Sequence, residues 1–134
     1  MGVLPSATTT AEPLWIPFSF RAGVAIDPDP REGHFRRLRR LTTHGRTVAA
    51  AWAPDGRAVV LERHDEAGCG TLVRLSLGDG EETRVSPEGG CASRPWVRPD
   101  GAVVFAWGPK GPCGATRLGA EVRGAACQVV STKA

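Results

Sequence analysis

Apolar and polar positions alternate most clearly over residues 46–107 of this 134-residue chain. Short runs rich in Ala, Val, Leu and Phe are broken by Gly, Pro and Asp, a pattern that predicts strands and turns. Residues 48–53, 57–63, 71–76 and 81–86 are predicted as four strands. Pro54-Asp55-Gly56, the polar loop 64–70 and Leu77-Gly78-Asp79-Gly80 link them. Residues 92–97, 102–107, 115–118 and 127–131 predict four more, the third of these being the weakest. Proline presets φ at a turn position, and glycine accepts the positive φ that closes the reversal. Residues 34–42 space Phe35, Leu38 and Leu41 by three, but the run is short and lacks a helix cap. It reads as a strand.

Several features return at one period. Arg40-Leu41-Thr42 recurs as Arg84-Val85-Ser86 and as Val129-Val130-Ser131, steps of 44 and 45 residues. Trp52 to Trp96 and Cys69-Gly70 to Cys113-Gly114 are both 44. A constant period marks a repeat protein, and four antiparallel strands in about 40–50 residues mark a propeller blade. The fold class predicted is therefore all-β: two four-stranded antiparallel blades plus an N-terminal extension, a partial β-propeller. The extension is residues 1–33. Residues 34–42 form a strand of a preceding blade, residues 43–86 the first repeat, and residues 87–131 the second, the propeller segment running over 34–134.

The order Arg-Leu-Thr, Trp-x-Pro-Asp-Gly, then Leu-x-x-Leu-x-x-Gly-Asp-Gly resembles the repeat of TolB-type β-propellers. Trp52, Pro54, Asp55, Gly56, Leu72, Gly78, Asp79 and Gly80 carry the likeness. The second repeat departs from it, with an extra residue between Trp96 and Pro99 and no Gly-Asp-Gly turn. The resemblance implies a non-enzymatic protein-binding or scaffolding module, with protein or peptide partners met by loops on one face, in a bacterial periplasm or envelope. Two alternatives stay open. One is the propeller fragment of a hydrolase or peptidase without its catalytic domain. The other is a metal- or redox-responsive loop cluster.

Two blades are few for a closed propeller, which takes about four to eight. The chain is expected to begin a longer propeller, to assemble with copies of itself, or to stand alone as a small β-sheet protein. Blade faces left open need polar caps. Residues 12–26 are the candidate cap, with Trp15, Phe18 and Phe20 over a blade face. Residues 1–11 are small and polar, and no regular structure is expected there.

Composition narrows the partners. Hydrophobic residues are 41% and charged residues 23%, with 17 glycines, 11 prolines and a net charge of +3. That charge is mild, tyrosine is absent and methionine occurs once, so no nucleic acid partner is expected. Phe35-Arg36-Arg37-Leu38-Arg39-Arg40 is the one basic cluster and is read as a solvated outer strand. No apolar run reaches the ~20 residues of a membrane span. The N-terminus has no basic n-region or sustained apolar stretch, so no secretory signal is read.

Blade topology places the loops after each second and fourth strand together, away from the Pro-Asp-Gly turns. His44, His64, Asp65 and Glu66 are the candidate binding residues there, beside Cys69, Cys91 and Cys113. Cys91 opens one strand and Cys113 follows its neighbour, so Cys91–Cys113 is the candidate disulfide. Cys69 with Cys91, across blades, ranks below it, and free thiols packed as small hydrophobes are the simplest reading. No Cys-x-x-Cys or His-x-x-x-His pair supplies a half-site, so no metal and no cofactor is assigned. No Gly-x-Ser-x-Gly elbow occurs, and a Cys69–His64 dyad oriented by Asp65 is a poor catalyst on one loop, so no catalytic residue is assigned. Asp55 and Asp100 are read as turn residues, and Trp52 and Trp96 as core.

Overall fold

The computed structural model describes Gly2, residues 19–109 and residues 127–132. Within them the chain is all-β and has no helix. A two-stranded sheet pairs β1 (Val24–Ala25) with β2 (Arg39–Arg40). The first large sheet has the order β3 (Arg46–Trp52), β4 (Ala58–His64), β5 (Gly70–Ser76), β6 (Glu82–Arg84). The second has the order β7 (Cys91–Val97), β8 (Val103–Gly108), β9 (Gln128–Ser131). Every pairing is antiparallel. The strand predicted over 115–118 lies outside the described residues.

β4 has the longest unbroken buried run of the first sheet, Ala58 to Glu62, because both of its faces are covered. On one face Val59 and Leu61 join Leu75 and Leu77, and the N-terminal segment covers them with Ala22 and Leu41. On the other face Val60 and Leu72 pack against Ala92, Val103 and Phe105 of the second sheet. Burying each such side chain contributes about 1.5–3 kcal/mol relative to leaving it in water. Ala22 is therefore part of the core. The backbone N–H groups of Arg21 and Ala22 both donate to the Leu77 carbonyl, at 2.9 and 3.0 Å.

The two large sheets stack in one sense. Val59 and Leu61 recur 44 residues later as Val103 and Phe105, and Val60 as Val104. The Val59 face of the first sheet meets the N-terminal segment, and the corresponding Val103 face of the second meets the first sheet. Each sheet thus turns a leading face to what precedes it. The trailing face of the second sheet carries Val104 and Ala106, with Trp96 and Val129 opposite them on the flanking strands. Trp96 is 59% and Val129 81% exposed.

Four expectations are corrected. Trp52 and Trp96 are not core: Trp52 is 62% exposed. It ends the edge strand β3, beyond the area that Ala22 and Leu41 cover. Trp96 differs for another reason. In the first hairpin Trp52 opposes Val59 and the Ala53 N–H donates to the Ala58 carbonyl. In the second, Val97 opposes Val103 and the Arg98 N–H donates to the Ala102 carbonyl. The extra residue before Pro99 is offset by a missing one after Gly101, so the period survives while Trp96 moves one place along its strand. A one-residue shift sends a side chain to the other face. Val97 takes the inward place and packs on the core.

Residues 34–42 do not form the strand of another blade, since only Arg39–Arg40 is strand and it pairs with β1. Arg37 sits at a φ of 56°, in the left-handed region that stops a strand. Residues 127–131, expected as a fourth strand, hold β9, which lies directly beside β8 in third place among the described strands. Finally, Cys91 is bonded to Cys69 and so cannot pair with Cys113.

Candidate functional site

The loop end of the large sheets is built around β4 and its exit. Cys69, in the loop from β4 to β5, is disulfide-bonded to Cys91 at the start of β7, with their Cα atoms 5.0 Å apart. Gly70 follows, and a Cβ there would run into the Ala92 carbonyl oxygen. Only glycine lets the sheets approach this closely. Bridging between the two sheets wins over Cys91–Cys113 because the sheets stack face to face at this point. Cys127 is disulfide-bonded too.

Beneath the disulfide, Glu62 of β4 is 4% exposed. Its Oε2 accepts the Arg94 backbone N–H at 2.8 Å, and its Oε1 lies 2.6 Å from His64 Nε2. Arg94 is held at a φ of 55° within the bulge of β7 between Ser93 and Trp96. The carboxylate thus supplies the acceptor that the bulge removes from the ladder. His64 is occupied by this contact and does not point freely to solvent.

The other expected binding residues are dispersed. Asp65 closes its own loop: its Oδ1 accepts the Cys69 N–H at 2.9 Å, and its backbone N–H donates to the Cys69 carbonyl. Glu66 is exposed beside it. His44 is exposed, with Nε2 4.0 Å from Glu82 Oε2. Glu82 is engaged by Arg63, whose Nη1 and Nη2 donate to its two carboxylate oxygens at 2.9 and 2.8 Å. These hydrogen bonds first, then the Arg63 charge, hold the Glu82 carboxyl below the usual value. Among the described residues no three His, Cys, Asp or Glu side chains converge as a ligand set for a metal ion. At the opposite end both Pro-Asp-Gly turns and Arg74 border a recess of about 260 Å³. There Asp55 and Asp100 accept the N–H groups of Arg57 and Ala102, a turn role.

A larger concavity lies elsewhere. A groove of about 670 Å³ is lined by Phe20, Ala25, Arg37, Leu38, Arg39, Leu41 and Trp52. It forms where the β1–β2 pair stands beside the end of β3 on the leading face. Arg39 builds its wall. Its Nε donates to the Ala22 carbonyl and its Nη2 to those of Arg21 and Gly23, at 2.8, 3.2 and 2.9 Å. The same guanidinium sits 5.7 Å from the centre of the Phe20 ring, within cation–π range. Clefts of about 300–1,000 Å³ with an apolar lining and a few charged groups suit small ligands or short peptide segments.

Compared with family models, with curated proteins and with solved structures, the chain matches none.

Sequence reasoning placed the candidate site at the loop end and missed the groove. A signal was present. Between Glu32 and Asp55 there is no carboxylate, but there are five arginines and two histidines. Its basic part, Phe35 to Arg40, was read as a solvated outer strand because its charges suit an exposed edge. Trp52 was assigned to the core.

Proposed function

We propose that the chain is a TolB-like propeller segment that acts without catalysis, as a protein-binding or scaffolding module. The stacking of the two large sheets carries this reading. Leading face meets trailing face at a constant 44-residue step, which is how blades follow one another in a repeat array. The trailing face of the second sheet is then a blade position left unfilled by the described residues, with Trp96 and Val129 exposed. The first sheet covers its equivalent face with another sheet, so the fitting occupant is a sheet of the same kind. Ala22 and Leu41 already cover the leading face of each chain. A second copy is therefore met trailing face to trailing face, a self-complementary contact that closes after two subunits.

Light scattering across a dilution series tests this. The unaltered chain is expected to pass from monomer to dimer as concentration rises. The double variant Trp96→Ser, Val129→Ser is expected to remain monomeric, with its urea midpoint little changed. An unaltered chain that is monomeric at every concentration would sink the proposal.

A further inference from the structure

We infer that the groove between the β1–β2 pair and Trp52 is a binding site for an extended acidic peptide that carries an aromatic or large apolar side chain. This does not rest on the pairing of trailing faces, because the groove lies on the leading side. Three observations on the molecule point to it.

The first is charge. Arg36, Arg37 and Arg40 are exposed, and none has a carboxylate partner among the described residues. Among the described residues that line the groove, the charged ones are Arg37 and Arg39, both cationic, and the chain from residue 33 to residue 54 adds no carboxylate. That charge favours an anionic occupant. The second is the floor. Leu38, Leu41, Ala25, Phe20 and Trp52 offer apolar and aromatic surface, and Trp52 is 62% exposed beside it. An occupant that carried charge alone would leave that surface wet, so an apolar anchor is required. The third is the sheet edge. β3, whose last residue is Trp52, is the outermost strand of its sheet. Its outer backbone groups have no backbone partner among the described residues. Ala49, Ala50 and Ala51 leave that edge sterically open. A peptide lying in the groove can extend along β3 and add main-chain hydrogen bonds, as in strand addition to a free edge. A nucleic acid or a small organic acid would make no use of this edge.

Two synthetic probes decide the matter, N-acetylated and amidated: Glu-Glu-Phe-Glu-Glu and its Gln-Gln-Phe-Gln-Gln counterpart. Titration calorimetry with the full chain is expected to show binding of the acidic peptide that weakens with added salt. The glutamine peptide is expected to bind at least about tenfold more weakly. Arg37→Asn, which tolerates the left-handed φ, and the exposed change Trp52→Leu should each weaken the acidic peptide by about tenfold. Circular dichroism and the urea midpoint of both variants should match the unaltered chain.

Equal affinity for the two peptides would overturn the proposal, as would unchanged binding in Arg37→Asn. An oligothymidylate that binds more tightly than the acidic peptide would reassign the groove to nucleic acid. A tenfold gain in peptide affinity on replacing Trp15 and Phe18 by serine would show that the chain's own segment fills the groove, and this too would overturn it.

Discussion

Two carboxylates in one sheet, Glu62 and Glu82, behave in opposite ways because their surroundings differ. Glu62 is buried and its role is structural: it accepts the Arg94 N–H and meets His64. Glu62→Ala leaves that N–H without an acceptor in a bulge the sheet cannot relax. The expected cost is about 2–4 kcal/mol in urea unfolding at neutral pH, a lost charged hydrogen bond plus an unsatisfied donor. Glu62→Gln keeps one oxygen acceptor and should cost about half as much. Glu82 is partly exposed and forked with Arg63. Its folded carboxyl lies below the ordinary value of 4.5. A depressed folded value means stability that is present above the unfolded value and lost as pH falls through the folded one. Glu82→Gln should therefore cost up to about 1 kcal/mol at pH 7, after allowance for solvent screening. The cost should vanish in acid, where Glu82 is protonated in the folded and the unfolded state alike. Urea midpoints of the two chains at neutral and at acid pH check this. A difference that grew on acidification would refute the ion pair as its source. Neither role was visible from the residues alone. Glu62 stands in an ordinary strand position, and the acceptor it supplies serves a bulge 32 residues away.

At the scale of elements, most strands were legible because apolar runs and turn chemistry agree on where each begins. The predicted strands 48–53, 57–63 and 71–76 became β3, β4 and β5 with ends shifted by a residue or two. What was not legible was how the elements face one another. Trp96 kept its distance from Trp52 along the chain but lost its direction, because an insertion and a deletion around Pro99-Asp100-Gly101 cancel in length and not in pleat. Pairing of the cysteines failed for a similar reason. Neighbouring strand ends made Cys91–Cys113 look natural, but Gly70 lets the sheets approach so closely that Cys69 reaches Cys91 first. That bridge closes a loop of 22 residues between two sheets that otherwise meet through packing and the Glu62–Arg94 hydrogen bond. Constraint of the unfolded chain predicts about 3 kcal/mol of stabilisation. Cys69→Ser with Cys91→Ser should lower the urea midpoint accordingly. The β7–β8 hairpin, which leans on β4 and β5 through this bridge, should lose amide protection before the rest. A double variant as stable as the parent would mean that the Val60–Leu72–Phe105 packing holds the sheets together unaided.

Over the whole molecule the burial is graded, and the gradient makes a prediction about where it opens. β4 and β5 are covered on both sides, by Ala22 and Leu41 on one and by the second sheet on the other. β9 is the last strand of its sheet among the described residues and carries the exposed Val129, and the β1–β2 pair rests on two residue pairs and the Arg39 clamp. Local opening follows such differences, since regions with few buried contacts open at small free energy while the best covered open only with the whole domain. Amide exchange at low protein concentration is therefore expected to rank β4 and β5 slowest, β7 and β8 next, and β1, β2 and β9 fastest. Leu72→Ala, which empties the contact between the large sheets, should cost about 2–5 kcal/mol. It should also bring β8 down towards the rate of β9 while leaving the Arg39 clamp untouched. The gradient also separates the two surfaces. If copies pair through the trailing face, raising the concentration should slow exchange in β7, β8 and β9 alone. An acidic peptide in the groove should slow it in β2 and β3 instead. Concentration-dependent protection that appeared first in β3 would place self-association on the groove. The Trp96 and Val129 face would then be ordinary exposed surface, because a pairing that hides one face cannot protect the strand edge on the other.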